Sequence, residues 1–167
     1  MASSQVAKQL QQPLSEQRWM LVVKALNQPG TLTASAAVFS NRGVSLQGFL
    51  GSGIDTSAVD DGRLLFSFRA TEEKQALLKR SLERLPNIFK VDAYRYDDKR
   101  LRAIAIAKLS TDTDISTLNS LHIEVINRSE TALLLLLTGK IPTVEEAIAH
   151  FRKQQQLKDV VMSAITV

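Results

Sequence analysis

Hydrophobic positions along the chain alternate between a rhythm of two and a rhythm near 3.6. Arg18 to Leu26 (RWMLVVKAL) reads as a strand, stopped by the turn formers Asn27, Gln28, Pro29 and Gly30. In TLTASAAVFSNRG, Leu32, Ala36 and Phe39 recur about once per helical turn and Gly43 closes the segment, which predicts a short helix rich in small residues. Val44 to Ile54 reads as a second strand, SGIDTSAVDDG as a polar loop with an Asp-Gly turn signal, and Arg63 to Ala70 as a third strand. Thr71 opens a helix through QALLKRSLERL, with Leu77, Leu78, Leu82 and Leu85 on one face and Pro86 and Asn87 as its stop. Ile88 to Tyr96 is the fourth strand.

Strand, helix, strand, strand, helix, strand is the order of a ferredoxin-like sandwich. The remaining chain repeats it. Leu101 to Leu109 reads as a strand, Thr113 to Leu121 as a short helix and His122 to Asn127 as a strand. After a turn at Arg128, Ser129 and Glu130 come a strand from Thr131 to Thr138, a helix from Thr143 to Gln156 and a strand from Lys158 to Val167. The predicted class is α+β: two tandem ferredoxin-like βαββαβ sandwiches, over 18–98 and 99–167. Residues 1–17, rich in Gln and Ser and containing Pro13, are expected to be a mobile tail or a short helix.

Composition removes chemistry and adds little. The 167 residues include no cysteine, which excludes disulfides, thiolate metal sites and a cysteine nucleophile. The net charge of +4 is spread evenly, with 12 basic and 10 acidic side chains in residues 1–98 and 9 and 7 in residues 99–167, so neither half is a polybasic arm for nucleic acid. The longest apolar run, Ala132 to Leu137, is too short to span a bilayer, and the first residues lack a signal-peptide core, so a cytoplasmic protein without membrane contact is expected.

No constellation for bond making emerges. Gly48, Gly51 and Gly53 lack the order of a phosphate loop and no helix follows them, which leaves a twisted or bulged strand end. His122 and His150 stand in no zinc spacing. The pairs Asp60/Asp61 and Asp97/Asp98 read as turn residues, and Ser40 and Ser129 lack a nucleophile-elbow frame. A non-catalytic chain without metal or cofactor is expected. Alternation places Leu64, Phe66 and Phe68 together on the helix side of their strand, where they cannot stack on bases, so nucleic acid is not an expected partner.

Leu26 to Phe49 is more informative. It offers a strand end, a Pro-Gly turn, and the N–H groups of Gly30, Thr31 and Leu32 at the start of a helix, a place that attracts a carboxylate. The Asn27 amide could contact an amino group beside it. Any strand-to-helix turn carries the same dipole, so an ordinary structural turn stays open as the alternative. Met20 and Val22 beside Lys24, with Val44 and Leu46, are expected to give the open sheet face an apolar surface for a second copy.

NQPGTL (27–32) followed by VFSNRGVSL (38–46) resembles the ACT domain, the amino-acid-sensing module of metabolic enzymes. More closely, the chain resembles the regulatory (small) subunit of acetolactate synthase. LPNIFKVDAY, RLRAIAIAKL and LTGKIPTVEEAIAHFRKQQQLKDVVMSAITV extend the likeness from Arg18 to Val167. The resemblance implies an ACT domain followed by an ACT-like C-terminal domain. It implies a regulatory subunit that activates a thiamine-diphosphate-dependent large catalytic subunit and confers feedback inhibition by valine or a related branched-chain amino acid. It further implies a homodimer whose effector lies between two ACT domains, against Asn27, Gly30, Thr31 and Leu32 and against the start of the second strand at Ser45 and Leu46. Ser45 stands where the family has asparagine, with shorter reach and one hydrogen-bonding group in place of two. The first helix of the second half is short for the family. A stand-alone ACT sensor or an adaptor for a different enzyme is the alternative.

Overall fold

A computed structural model describes residues 15–56, 59–116 and 120–166. The expected tail, 1–17, lies outside the described residues except for its last three positions. The chain divides into two units, Met1–Arg95 and Tyr96–Val167.

The first unit runs β1 (Gln17–Leu26), α1 (Thr31–Ser40), β2 (Leu46–Thr56), β3 (Val59–Ala70), α2 (Glu72–Leu82), β4 (Ile88–Arg95). Its sheet has the order β2-β3-β1-β4 with every pair antiparallel. β1 is central because Trp19, Met20, Leu21, Val22 and Val23 are apolar on both faces and all become buried. On the helix side, Leu21 and Val23 join Leu64, Phe66 and Phe68 of β3, Phe39 of α1, and Leu78 and Leu82 of α2 in one core. The Phe39 ring lies 5.0 Å from Phe66 and 5.2 Å from Phe68, and the Trp19 indole donates to the Ala70 carbonyl at 3.0 Å. Phe66 and Phe68 are thus inside, as their phase predicts. Helix α2 is well delimited: the Thr71 hydroxyl accepts from the Lys74 N–H, Glu72 and Glu73 occupy the first turn, and Lys79 and Arg80 the last.

The second unit runs β5 (Arg102–Leu109), β6 (His122–Arg128), β7 (Leu133–Gly139), α3 (Ile141–Lys153), β8 (Leu157–Ile165), in the order β6-β7-β5-β8. This is the strand order of the first sheet. Ala103, Ala105, Ala107 and Leu109 of β5 alternate inward with Leu133, Leu135 and Leu137 of β7, and Val144, Ile148 and Phe151 of α3 are buried.

Four sequence expectations need correction. The segment expected as a loop, 52–62, is mostly sheet: β2 runs to Thr56 and β3 starts at Val59, and Gly62 pairs with Gly53 where a turn was expected. Cross-strand pairing supplies the order that a Gly-, Ser- and Asp-rich composition conceals. Helix α1 buries Thr31, Ser35 and Phe39, leaving Leu32 exposed at 42%, because the Ser35 hydroxyl is satisfied within the helix by the Thr31 carbonyl at 2.8 Å. In α2, Leu78 and Leu82, with Leu85 just beyond the helix, face the core as expected, but Leu77 is exposed and Gln75 is buried. The helix expected over 113–121 is absent among the described residues of that stretch: the Thr113 hydroxyl donates to the Ser110 carbonyl and the Ser116 N–H to the Asp114 carboxylate, a turn stabilised by side chains, while 117–119 lie outside the described residues.

The open-face expectation also changes. Val44 belongs to the helix-side core and Leu46 packs against it, so neither adds to the open face. Met20 and Val22 are buried, at 2% and 4% exposure.

Candidate functional site

The site is built from the end of β1 and the turn that follows. The Gln28 N–H donates to the Leu26 carbonyl at 3.0 Å and the Thr31 N–H to the Gln28 carbonyl at 3.2 Å, closing a β-turn over Pro29 and Gly30. Gly30 has φ 86° and ψ −19°, the geometry of the third position of a type II turn, which an L side chain adopts only with strain. The first helical bond runs from the Ala34 N–H to the Gly30 carbonyl at 2.8 Å, so the N–H groups of Leu32 and Thr33 precede it and lack an intrahelical acceptor. The Thr31 N–H, expected to be available, is used by the turn. Unlike α2, α1 has no side-chain cap and no acidic residue in its first turn, so its positive end is left uncompensated.

Asn87 fixes this turn from the loop before β4. Its carbonyl accepts from the Leu26 N–H at 2.8 Å, and its side-chain amide donates to the Thr31 hydroxyl at 3.2 Å. In the sequence Asn87 reads only as a helix stop.

The uncapped end of α1 opens on a cleft of about 340 Å³. Its apolar walls are Leu26, Leu32, Phe49 and Leu64; Asn27, Gln28 and Ser52 provide the polar rim, and among the described residues no lining side chain is charged. The floor is the outer end of the sheet, where Gly53, Gly62 and Ala25 stand opposite one another on β2, β3 and β1. A second groove of about 570 Å³ lies beside it between α1 and the edge strand β2, lined by Ala36, Ala37, Ser40, Leu46 and Phe66 together with Leu32 and Phe49. Leu32 and Phe49, 42% and 46% exposed, therefore belong to both hollows.

Of the residues singled out from sequence, Asn27, Thr31 and Leu32 line the cleft and Gly30 shapes the turn above it. Leu46 lines the neighbouring groove, and Ser45, exposed just before β2, lines neither. The cleft meets the middle of β2, at Phe49, Gly51, Ser52 and Gly53, further along than the start of that strand. Those residues and Gly62 were missed; glycines recurring inside a strand are the signal that marks them, because they admit close approach to the backbone. Among the described residues no three His, Asp or Glu side chains converge as a metal site would require.

Two units sharing one strand order, the first with a cleft at a helix N-terminus, define the class: a tandem ferredoxin-like α+β protein with a pocket at its first strand-to-helix turn. The chain superimposes on the crystal structure of the acetolactate synthase small subunit from Thermotoga maritima with a TM-score of 0.71 at 18% identity, covering 90% of this chain and 97% of that one. The fold is therefore that of the acetolactate synthase small subunit. The regulatory subunits of aspartate kinase from Thermus flavus and Thermus thermophilus align at 12% and 14% identity over 86% and 88% of this chain and 96% and 95% of theirs, with TM-scores of 0.45 and 0.41. No family model and no curated protein matches the sequence. No helix among the described residues is long and apolar enough to cross a membrane.

Proposed function

We propose that the chain is a non-catalytic regulatory subunit that binds a neutral α-amino acid in the cleft of its first unit. It modulates a separate thiamine-diphosphate-dependent catalytic subunit of branched-chain amino acid biosynthesis. The observation that carries the effector is the uncapped, acid-free N-terminus of α1 opening on a cleft whose described lining side chains are uncharged. A ligand carboxylate would take the first-turn N–H groups, where the helix dipole favours negative charge. The ammonium group would meet the amide oxygens of Asn27 and Gln28. An aliphatic side chain would lie among Leu26, Leu32, Phe49 and Leu64; a charged one would be desolvated there without a partner.

A second copy completes the site in this reading. Leu32 and Phe49 line both the cleft and the groove along α1 and edge strand β2, so a copy seated in the groove would wall the cleft and bring Leu46 into the contact. The fold shared with the Thermotoga small subunit supports the choice of catalytic partner.

Calorimetric titration with valine, leucine and isoleucine, and with lysine and aspartate as charged controls, tests the effector. The expected result is saturable binding of at least one aliphatic amino acid, no binding of the charged pair, and loss of binding in Gly30→Asp, which sets a negative charge at the helix N-terminus. Sedimentation of the same samples should show a dimer at micromolar concentration. A wild type that binds none of the aliphatic amino acids contradicts the sensor reading, and a strict monomer contradicts the shared site.

A further inference from the structure

The floor of the cleft contains two glycines that the backbone does not require. Gly30 and Gly43 have positive φ, and a Cβ on either would meet nothing within 4 Å. Gly53 and Gly62 are the reverse: neither is among the positive-φ residues, both lie inside strands, and they face each other in the β2–β3 ladder. Glycine weakens a strand interior, and its presence there marks a place where another group approaches the backbone. Here the group is Asn27. A Cβ on Gly53 would stand 2.5 Å from Nδ2 of the exposed Asn27 side chain and 3.3 Å from its Cγ; a Cβ on Gly62 would stand 3.3 Å from the Ala25 carbonyl oxygen and 3.4 Å from both Cα and Cβ of Asn27. The three atoms nearest to such a group on Gly53 all belong to Asn27. The Asn27 side chain thus lies against two bare strands, with its carboxamide over Gly53.

We propose that Gly53 is a positioning residue: with Gly62 bare beneath the stem of Asn27, it forms a seat for the Asn27 carboxamide that favours one place for its oxygen and amide hydrogens on the rim of the cleft. A carboxamide already held there surrenders less rotamer freedom when a ligand arrives. The ligand half of this inference rests on the amino-acid reading of the cleft; the seat itself does not.

Four proteins test it: wild type, Gly53→Ala, Asn27→Ala and the double variant, compared by thermal unfolding and by titration with valine, leucine and isoleucine. Gly53→Ala should lower the unfolding midpoint only slightly when Asn27 is present, because the exposed carboxamide must turn away from the new methyl group. In the Asn27→Ala background the same change should leave the midpoint unaltered or raise it, because alanine at an unobstructed position restricts the unfolded chain. Each single variant should weaken ligand binding about fivefold, and the double variant no more than Asn27→Ala alone. If Gly53→Ala fails to fold, recovery of folding in the double variant supports the seat, and failure of both overturns it. An equal loss of stability in the two backgrounds, or ligand losses that multiply, also overturns it. A wild type that binds none of the three amino acids overturns the effector reading, while the unfolding comparison still decides the seat.

Discussion

Gly30, Gly53 and Gly62 are glycines for different reasons, and the sequence distinguishes them only in part. A glycine after proline and before a helical rhythm announces a turn, and Gly30 does adopt a positive φ there. Gly53 reads as a twisted strand end and Gly62 as part of an Asp-Gly turn, since the Asn27 side chain that lies against them is more than twenty positions away. Asn87 is hidden for the same reason: its two bonds, to the Leu26 N–H and the Thr31 hydroxyl, span β1 and α1 from another part of the chain. Electrostatics at this scale is pronounced at the start of the second unit, where the Asp98 carboxylate accepts from the Arg100 N–H and guanidinium at 2.7 to 2.9 Å and its pKa is held well below the usual carboxylate value of 3.8. Because the folded pKa is depressed, the contribution to stability is present above the unfolded value and lost as the pH falls below it. In a carboxyl-carbon NMR titration Arg100→Ala should return the Asp98 pKa towards 3.8; an unchanged titration would show that the guanidinium does not hold the charge.

Elements were legible where one face dominates. β1, the second half of β3 and β7 carry apolar runs whose burial follows directly, and Thr71 with Glu73 and Lys74 announces α2. Helix α1 was found but its face was read one position out, because Thr, Ser and Ala residues give periodicity little contrast and Ser35 can be buried once its hydroxyl is bonded. The outer end of the β2–β3 ribbon, within 52–62, was hidden by its polar composition; only the partner strand shows that Gly53 belongs opposite Gly62. Phe39 is the fixed point of α1, buried at ring-contact distance from both Phe66 and Phe68. Phe39→Ala should therefore destabilise the first unit by about 3–5 kcal/mol, the usual range for removing a buried phenylalanine. The chain's one tryptophan, Trp19, lies in the same core, so denaturant unfolding followed by its fluorescence reads that unit. A loss below about 1 kcal/mol would mean that Phe39 does not anchor the helix.

For the whole molecule, the duplication was visible as a repeated order of elements, and both sheets have the same strand order. What differs is the crossover between the first two strands of each unit: a helix with an open N-terminus in the first, and a side-chain-bonded turn among the described residues of the second. The proposed division of labour follows, with the effector cleft in the first unit. At 18% identity the likeness to the Thermotoga small subunit lies in fold, and the function must be tested on the catalytic reaction itself. The most direct measurement is acetolactate formation by the acetolactate synthase catalytic subunit of the same organism, alone and with this chain, each with and without the aliphatic amino acid that calorimetry identifies. Addition of the chain should raise the rate, and the amino acid should then lower it only when the chain is present and Gly30 is intact. A rate indifferent to the chain, with and without the amino acid, would contradict the account.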